Sequence, residues 1–241
     1  MDFLDAIRRE SDRFYRAADA ADPARSVPTC PGWTVADLVW HLGQVHFFWA
    51  TVIEQRLDDP APAEAATPPR PADYRDLIAF GRAQAGHLID ALRATPDDVA
   101  VWTWALDEAA HTVGFIRRHQ VQEAAVHRWD LENAAATPAP IDADVASDSI
   151  DELLAVTLPW CVRPDNPLPG TVHLHCTDTD GEWFVDATGE VTRTHAKADV
   201  AVRGAASDIL LTLFKRVTTD AVELVGDANV AHRFVEMMNT D

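Results

Sequence analysis

Glu123-Ala124-Ala125-Val126-His127 is the segment of this 241-residue chain best suited to chemistry. Residues four apart on an α-helix share one face, about one turn apart, so this carboxylate and imidazole can hold one metal ion together. The residues between them are small and apolar, and Trp129 follows. Polar groups inside such a helix must be satisfied or used. A metal here needs a third ligand. His41 stands among Trp40, Leu42 and Val45 in the most apolar helical stretch of the chain. His, Glu and His form the ligand set of an open catalytic zinc site, which leaves a coordination position free. His46, five residues on, lies about 140° around the helix and is not expected to share an ion with His41. His119, four before Glu123, extends the stripe and is a further ligand candidate, although Arg117 and Arg118 beside it point to a wetter turn. A Glu-x-x-x-His pair also arises without metal, as a hydrogen-bonded or solvated pair, and spacing alone leaves that reading open. His-Glu-x-x-His is absent, which argues against a zinc protease.

Other residues have narrower roles. Asp130, three after His127, is placed to orient a ligand histidine or to pair with a neighbouring arginine. Cys30 has no assigned base, and its Pro-Gly turn points to packing at a helix start rather than to a nucleophile. Substrate carboxylates would need cationic donors. Arg117, Arg118 and Arg128 lie near the motif, and Arg82 and Arg216 are further candidates; for each one alone, surface solubility is the preferred reading. Of these, Arg82, Arg117 and Arg216 are carried forward as weak catalytic candidates. The tryptophans read as core, with Trp102 and Trp104 as exceptions in an irregular stretch.

The positioning elements follow from periodicity. Phe3, Leu4, Ile7, Phe14 and Tyr15 predict an amphipathic helix over 2–21. Pro28-Thr29-Cys30-Pro31-Gly32 breaks the chain, and Thr34 with Asp37 reads as the cap of a helix over about 35–57 that is apolar on more than one side. Pro60, Pro62, Pro68, Pro69 and Pro71 make a semi-rigid connection. Further helices fit about 72–94 and 112–136, and four long helices imply an up-down bundle. After Thr137-Pro138-Ala139-Pro140 the texture changes. A helix over 142–162 precedes period-two runs at 171–176, 182–186 and 199–203, with turns at Thr179-Asp180-Gly181 and Thr188-Gly189. Ser207 to Lys215 is helical, Val222 to Val225 a strand, and Asn229 to Met238 a closing helix. The fold class is therefore all-α followed by a small α+β domain.

Composition limits the partners. Twenty Lys+Arg against 39 Asp+Glu give a formal charge of −19, which disfavours nucleic acid and anionic membrane surfaces. The apolar share of 47% is ample for a core and excludes global disorder. There is no apolar run long enough for a transmembrane helix, and the first residues do not read as a secretory signal. Cys30, Cys161 and Cys176 form no Cys-x-x-Cys pair and fit a reducing cytoplasm better than a disulfide framework.

Two segments carry a family resemblance. Val27-Pro28-Thr29-Cys30-Pro31-Gly32-Trp33-Thr34-Val35-Ala36-Asp37-Leu38-Val39-Trp40-His41-Leu42 resembles the second-helix signature of mycothiol-dependent maleylpyruvate isomerase family proteins. Gln122-Glu123-Ala124-Ala125-Val126-His127-Arg128-Trp129-Asp130 resembles their second signature, on the fourth helix. Ala198 to Asp227 is similar to the later half of the sterol-carrier-protein-like domain that members often carry. The resemblance implies a DinB-like metal-binding four-helix bundle over residues 1–137 and a sterol-carrier-protein-like α+β domain over 141–241. It implies His41, Glu123 and His127 as metal ligands, zinc or another divalent ion as the metal, and mycothiol as thiol cosubstrate. Zinc would favour the thiolate, which adds to a cis double bond conjugated to carbonyls; the bond rotates and re-forms trans as the thiol leaves. An isomerase or S-transferase acting on a small electrophile is the leading reading. A metal-dependent hydrolase using zinc-bound water, and a non-enzymatic small-ligand-binding protein, are the alternatives. The partners expected are small molecules, with no nucleic acid and no membrane; monomer and dimer both stay open.

Overall fold

Asp2 opens helix α1 (Phe3–Ala20) by accepting from the Asp5 amide, and Thr34 and Asp37 open α2 (Val35–Gln55) with a full capping box. These caps satisfy amides that the first turn of a helix leaves unpaired. The computed structural model describes residues 1–238. The chain divides into two compact units, Met1–Ala139 and Pro140–Asp241. Residues 239–241 of the expected second domain lie outside the described residues.

The first unit is a four-helix bundle. After α2 comes the short α3 (Ala61–Ala65), inside the proline-rich segment read as a connection. Then follow α4 (Tyr74–Ala94), capped by Asp73, and α5 (Val113–Ala134), capped by Thr112. Helix α1 packs against α4 and α5, and α2 packs against the same two. Val35, Leu38, Val39 and Leu42 of α2 are fully buried, as are Ile116, Ala124 and Ala125 of α5. Where α2 crosses α4, Gly43 faces the backbone of Gly81, and a Cβ on Gly43 would lie 3.1 Å from the Gly81 Cα. Small residues at this crossing let the two helices approach closely, two residues from His41.

The second unit is α+β. Helix α6 (Ala143–Val156) and the single turn α7 (Leu158–Cys161) replace the continuous helix expected over 142–162. Pro159 explains the break, because proline has no amide to donate and its ring clashes with the preceding turn. Five strands follow: β1 (Val172–Cys176), β2 (Glu182–Val185), β3 (Val191–Thr192), β4 (Val200–Gly204) and β5 (Glu223–Gly226). The sheet order is β3-β2-β1-β4-β5, with β1 and β4 parallel and every other pair antiparallel. The two-residue β3 was not anticipated; it is too short to show a period. Helix α8 (Ala206–Leu213) packs on β1 and β4, and α9 (Ala228–Met237) on β1, β4 and β5. Val172, Leu174, Trp183, Val185, Val200 and Val202 share one sheet face and are buried. Alternation then puts His173, His175 and Glu182 on the other face. Among the described residues no helix is long and apolar enough to cross a membrane.

Candidate metal centre

The bundle brings together the three residues whose types suited a metal. His41 Nε2 lies 3.0 Å from Glu123 Oε1, and His127 Nε2 lies 3.4 Å from the same oxygen. The three ligand atoms all fall within 4.8 Å of one another. Helix α5 supplies Glu123 and His127 from one face, and α2 presents His41 from the opposite side, with the two imidazole centroids 4.9 Å apart. Ligand atoms around a tetrahedral zinc sit about 3.3 Å apart, given bonds of about 2.0–2.1 Å. Two imidazole nitrogens and one carboxylate oxygen at these spacings therefore fit zinc or a similar divalent ion.

A second layer of contacts backs the triad. His127 Nδ1 lies 3.0 Å from Asp130 Oδ2, and Thr29 Oγ1 donates to Asp130 Oδ1 at 2.6 Å. With Nδ1–H donated to Asp130, Nε2 is the nitrogen that faces Glu123, and it could bind a metal once its own proton leaves. Cys30 Sγ sits 3.6 Å from Asp130 Oδ2, and Cys30, His127 and Asp130 form an adjoining group with ligand atoms within the same 4.8 Å limit. The turn that carries Thr29 and Cys30 closes through Val27 and Trp33, with Gly32 at φ +84° where only glycine is comfortable. Trp33 leans on the His41 ring at 4.9 Å. The Pro-Gly turn read as simple helix-start packing thus also builds a wall of the site. Sequence reasoning left Cys30 aside because nothing local indicates that residue 30 meets residue 130.

The electrostatics follow from burial and pairing. Burial alone favours the neutral forms of both Glu123 and His127. Their mutual attraction outweighs it, helped by hydrogen bonds from His41 to Glu123 and from His127 to Asp130. Glu123 is held well below the usual carboxylate range and His127 well above the usual imidazole range. His46 behaves differently. It is fully buried, neither ring nitrogen has a hydrogen-bond partner, and burial pushes it down to about 4.

The remaining candidates have other partners. Arg82 pairs with Asp19 at 2.5 Å and lies over the Tyr15 ring, between α4 and α1. Arg117 donates to the carbonyls of Leu92 and Thr95 and pairs with Asp97, tying down the end of α4. Arg128 is fully buried, donating to Glu10, Glu132 and the Ala139 carbonyl. Arg216 belongs to the second unit and donates to the Phe214 carbonyl. His119 packs between Trp104 and Phe115, and Trp102 and Trp104 join Trp49 in the same aromatic cluster. A pocket of about 360 Å³ opens beside the triad, lined by His41, Gln44, Val45, Phe48, Glu64 and Thr67.

Comparison with known proteins places these features. Residues 4–132 match the mycothiol maleylpyruvate isomerase N-terminal domain, and residues 141–233 match the C-terminal domain of the same family. Two crystal structures of the mycothiol-dependent maleylpyruvate isomerase, one of them a His-to-Ala mutant, superpose with TM-scores of 0.57 and 0.59. Their sequences are 14% and 13% identical to this chain, and each match covers 92% of this chain and 91% of the other. A sterol carrier protein 2-like 2 from Aedes aegypti aligns over 39% of this chain and 96% of its own, at 24% identity and a TM-score of 0.31. No curated protein matches the chain.

Proposed function

The chain belongs to the mycothiol maleylpyruvate isomerase family, and on that premise we propose that it is a zinc-dependent, mycothiol-dependent enzyme that isomerises a small electrophile or transfers the thiol to it. The observation that carries this reading is the convergence of His41 Nε2, Glu123 Oε1 and His127 Nε2, with Asp130 holding the far nitrogen of His127. Three protein ligands leave a coordination position for a cosubstrate, as an open catalytic site requires. When bound, zinc and thiol together supply a thiolate nucleophile able to add to, and leave, a conjugated double bond.

The protein's own residues do the rest. His41, Glu123 and His127 hold the ion against the bundle interior, and Asp130 keeps His127 in the tautomer that leaves Nε2 free. Trp33 packs against one side of the His41 ring. The adjoining pocket gives small molecules access along His41. Gln44 and Thr67 offer hydrogen bonds there to a hydroxyl-rich thiol.

The test pairs metal content with turnover, for wild type and His127→Ala. The expected result is that the variant loses one equivalent of zinc relative to wild type, together with thiol-dependent conversion of cis-conjugated acids or thiol transfer to them. Wild type and variant with equal zinc, both folded, would overturn the reading. Activity on esters or amides that persists without any thiol would replace it with a hydrolase.

A further inference from the structure

The second unit carries a group of side chains that the first unit's chemistry does not use. His173 and His175 are two apart on β1, so both project from the same sheet face. Glu182 on β2 is the register partner of His175 and points the same way. His195, in the segment between β3 and β4, comes down onto them. His173 Nε2, His175 Nδ1 and His195 Nδ1 lie 3.0, 3.0 and 2.6 Å from one atom, Glu182 Oε1. All four ligand atoms are within 4.8 Å of one another.

Hydrogen bonding alone accounts poorly for this arrangement. A carboxylate oxygen has two lone pairs, so three imidazoles crowded on one oxygen exceed what it accepts well, while the group's other oxygen is available. Four donor atoms within 4.8 Å of one another are close enough to surround a single cation. Moving the His173 and His175 nitrogens outward by about 0.3 Å, and that of the exposed His195 by about 0.7 Å, reaches the spacing of about 3.3 Å found around a tetrahedral ion. Three imidazoles and a carboxylate, without thiolate, suit zinc, cobalt(II), nickel(II) or copper(II) rather than calcium or magnesium, which prefer oxygen ligands throughout. An access route exists: a groove of about 310 Å³ runs alongside, with His175, Glu182 and Arg193 in its lining.

We propose that His173, His175, Glu182 and His195 form a second metal site, which takes a borderline divalent transition ion with zinc as its simplest occupant. Four protein ligands make it a closed site, unlike the three-ligand set of the bundle. Its effect is mechanical. The His173 side chain is only 6% exposed and that of His195 is 78% exposed, so the ion joins a fixed strand to a surface segment. Metal binding fastens residues 193–199 to the sheet and stabilises the unit by mass action.

The experiment uses the full chain with zinc and, separately, cobalt(II) as probes. His41→Ala/His127→Ala removes the bundle ligands. This double variant is expected to retain about one equivalent of zinc per chain and to give the visible absorption of four-coordinate cobalt(II). Adding Glu182→Gln, which keeps the shape and removes the charge, should abolish both signals. His195→Ala, at an exposed position that cannot unfold the sheet, should weaken zinc binding about tenfold or more and make the 193–199 segment easier to cleave with protease. The proposal fails if the double variant, folded by circular dichroism, binds no more zinc than the same chain with Glu182→Gln added. It also fails if His195→Ala leaves zinc affinity unchanged. Failure of the bundle site looks different: wild type and the double variant would then carry equal metal, and Glu182→Gln alone would empty the chain.

Discussion

The bundle cluster and the sheet cluster both gather histidines around one glutamate, by opposite means. In the bundle, two candidate ligands come from one helix face at a spacing of four and the third from a neighbouring helix; a further carboxylate, Asp130, holds His127 from behind. On the sheet, two candidate ligands come from one strand at a spacing of two, one from its hairpin partner and one from an irregular segment, and the three histidines meet at the glutamate itself. Helix packing thus gathers three candidate ligands with a layer of hydrogen bonds behind them. Strand pairing brings three candidate ligands together, and the irregular segment after β3 adds a fourth, exposed one. The first arrangement is suited to binding and turning over a small molecule, the second to holding two pieces of chain together.

The largest expected break in this comparison is Glu123→Ala. It should lower thiol-dependent turnover about a thousandfold or more and empty the bundle site, while the zinc retained by the sheet stays constant. Metal analysis beside a turnover assay reads both at once, and loss of metal from both clusters together would sink the idea that they are independent.

Next comes His46, a fully buried bundle histidine that neither cluster uses. Its folded-state value of about 4 lies below the ordinary imidazole value, so the unfolded chain takes up this proton first as pH falls. The stability it permits is complete above about pH 6.5 and is lost progressively toward pH 4, by up to about 3 kcal/mol. Urea unfolding at several pH values should show His46→Leu losing less stability than wild type across that window. Parallel curves would show that His46 stays neutral in both states or is hydrated when folded.

Asp130→Asn probes the second layer and should act on the bundle alone. It is expected to weaken metal binding there by about 10- to 100-fold, read by competition with a chelator. The same titration carries a pH test. A metal must displace the proton that Glu123 and Asp130 help His127 to keep, so bundle affinity should rise with pH through the range in which His127 titrates. An affinity independent of pH would mean that His127 is not a ligand.

The smallest effect is expected from Arg82→Ala. Its exposed pairing with Asp19 predicts a stability change below about 1 kcal/mol and no change in metal content or turnover. A marked rise in KM would instead bring Arg82 back as a substrate-binding residue.

How much of this was legible in the sequence depends on the range of the interactions involved. Glu123 and His127 could be paired from spacing because helix geometry is local, and His41 stood out as a basic residue within an apolar helix. The four long helices and the later α+β texture were equally local signals. Asp130 was left with two partners, and the structure gives it His127 on its own helix together with Thr29 and Cys30, the last two decided by where one turn lands on α5. The sheet cluster went unread, although His173-Leu174-His175 is a visible signal at a spacing of two. Its completion depends on the β1–β2 register and on the path of residues 193–199, neither of which periodicity specifies. Arg117 and Arg128 stood out as cations, but their engagement with carbonyls and carboxylates is tertiary.

Arg128 follows His127 directly and points away from the metal ligands, into Glu10, Glu132 and the Ala139 carbonyl. That contact acts as a registration pin. A slip of α5 by a single residue would advance it about 1.5 Å and turn it about 100°, carrying His127 off the axis it shares with His41. The alignment of the triad thus depends partly on the far side of the helix, on residues that do not belong to it. Under the proposed function, a change at Glu10 or Glu132 would reach the site as misalignment rather than as a lost donor.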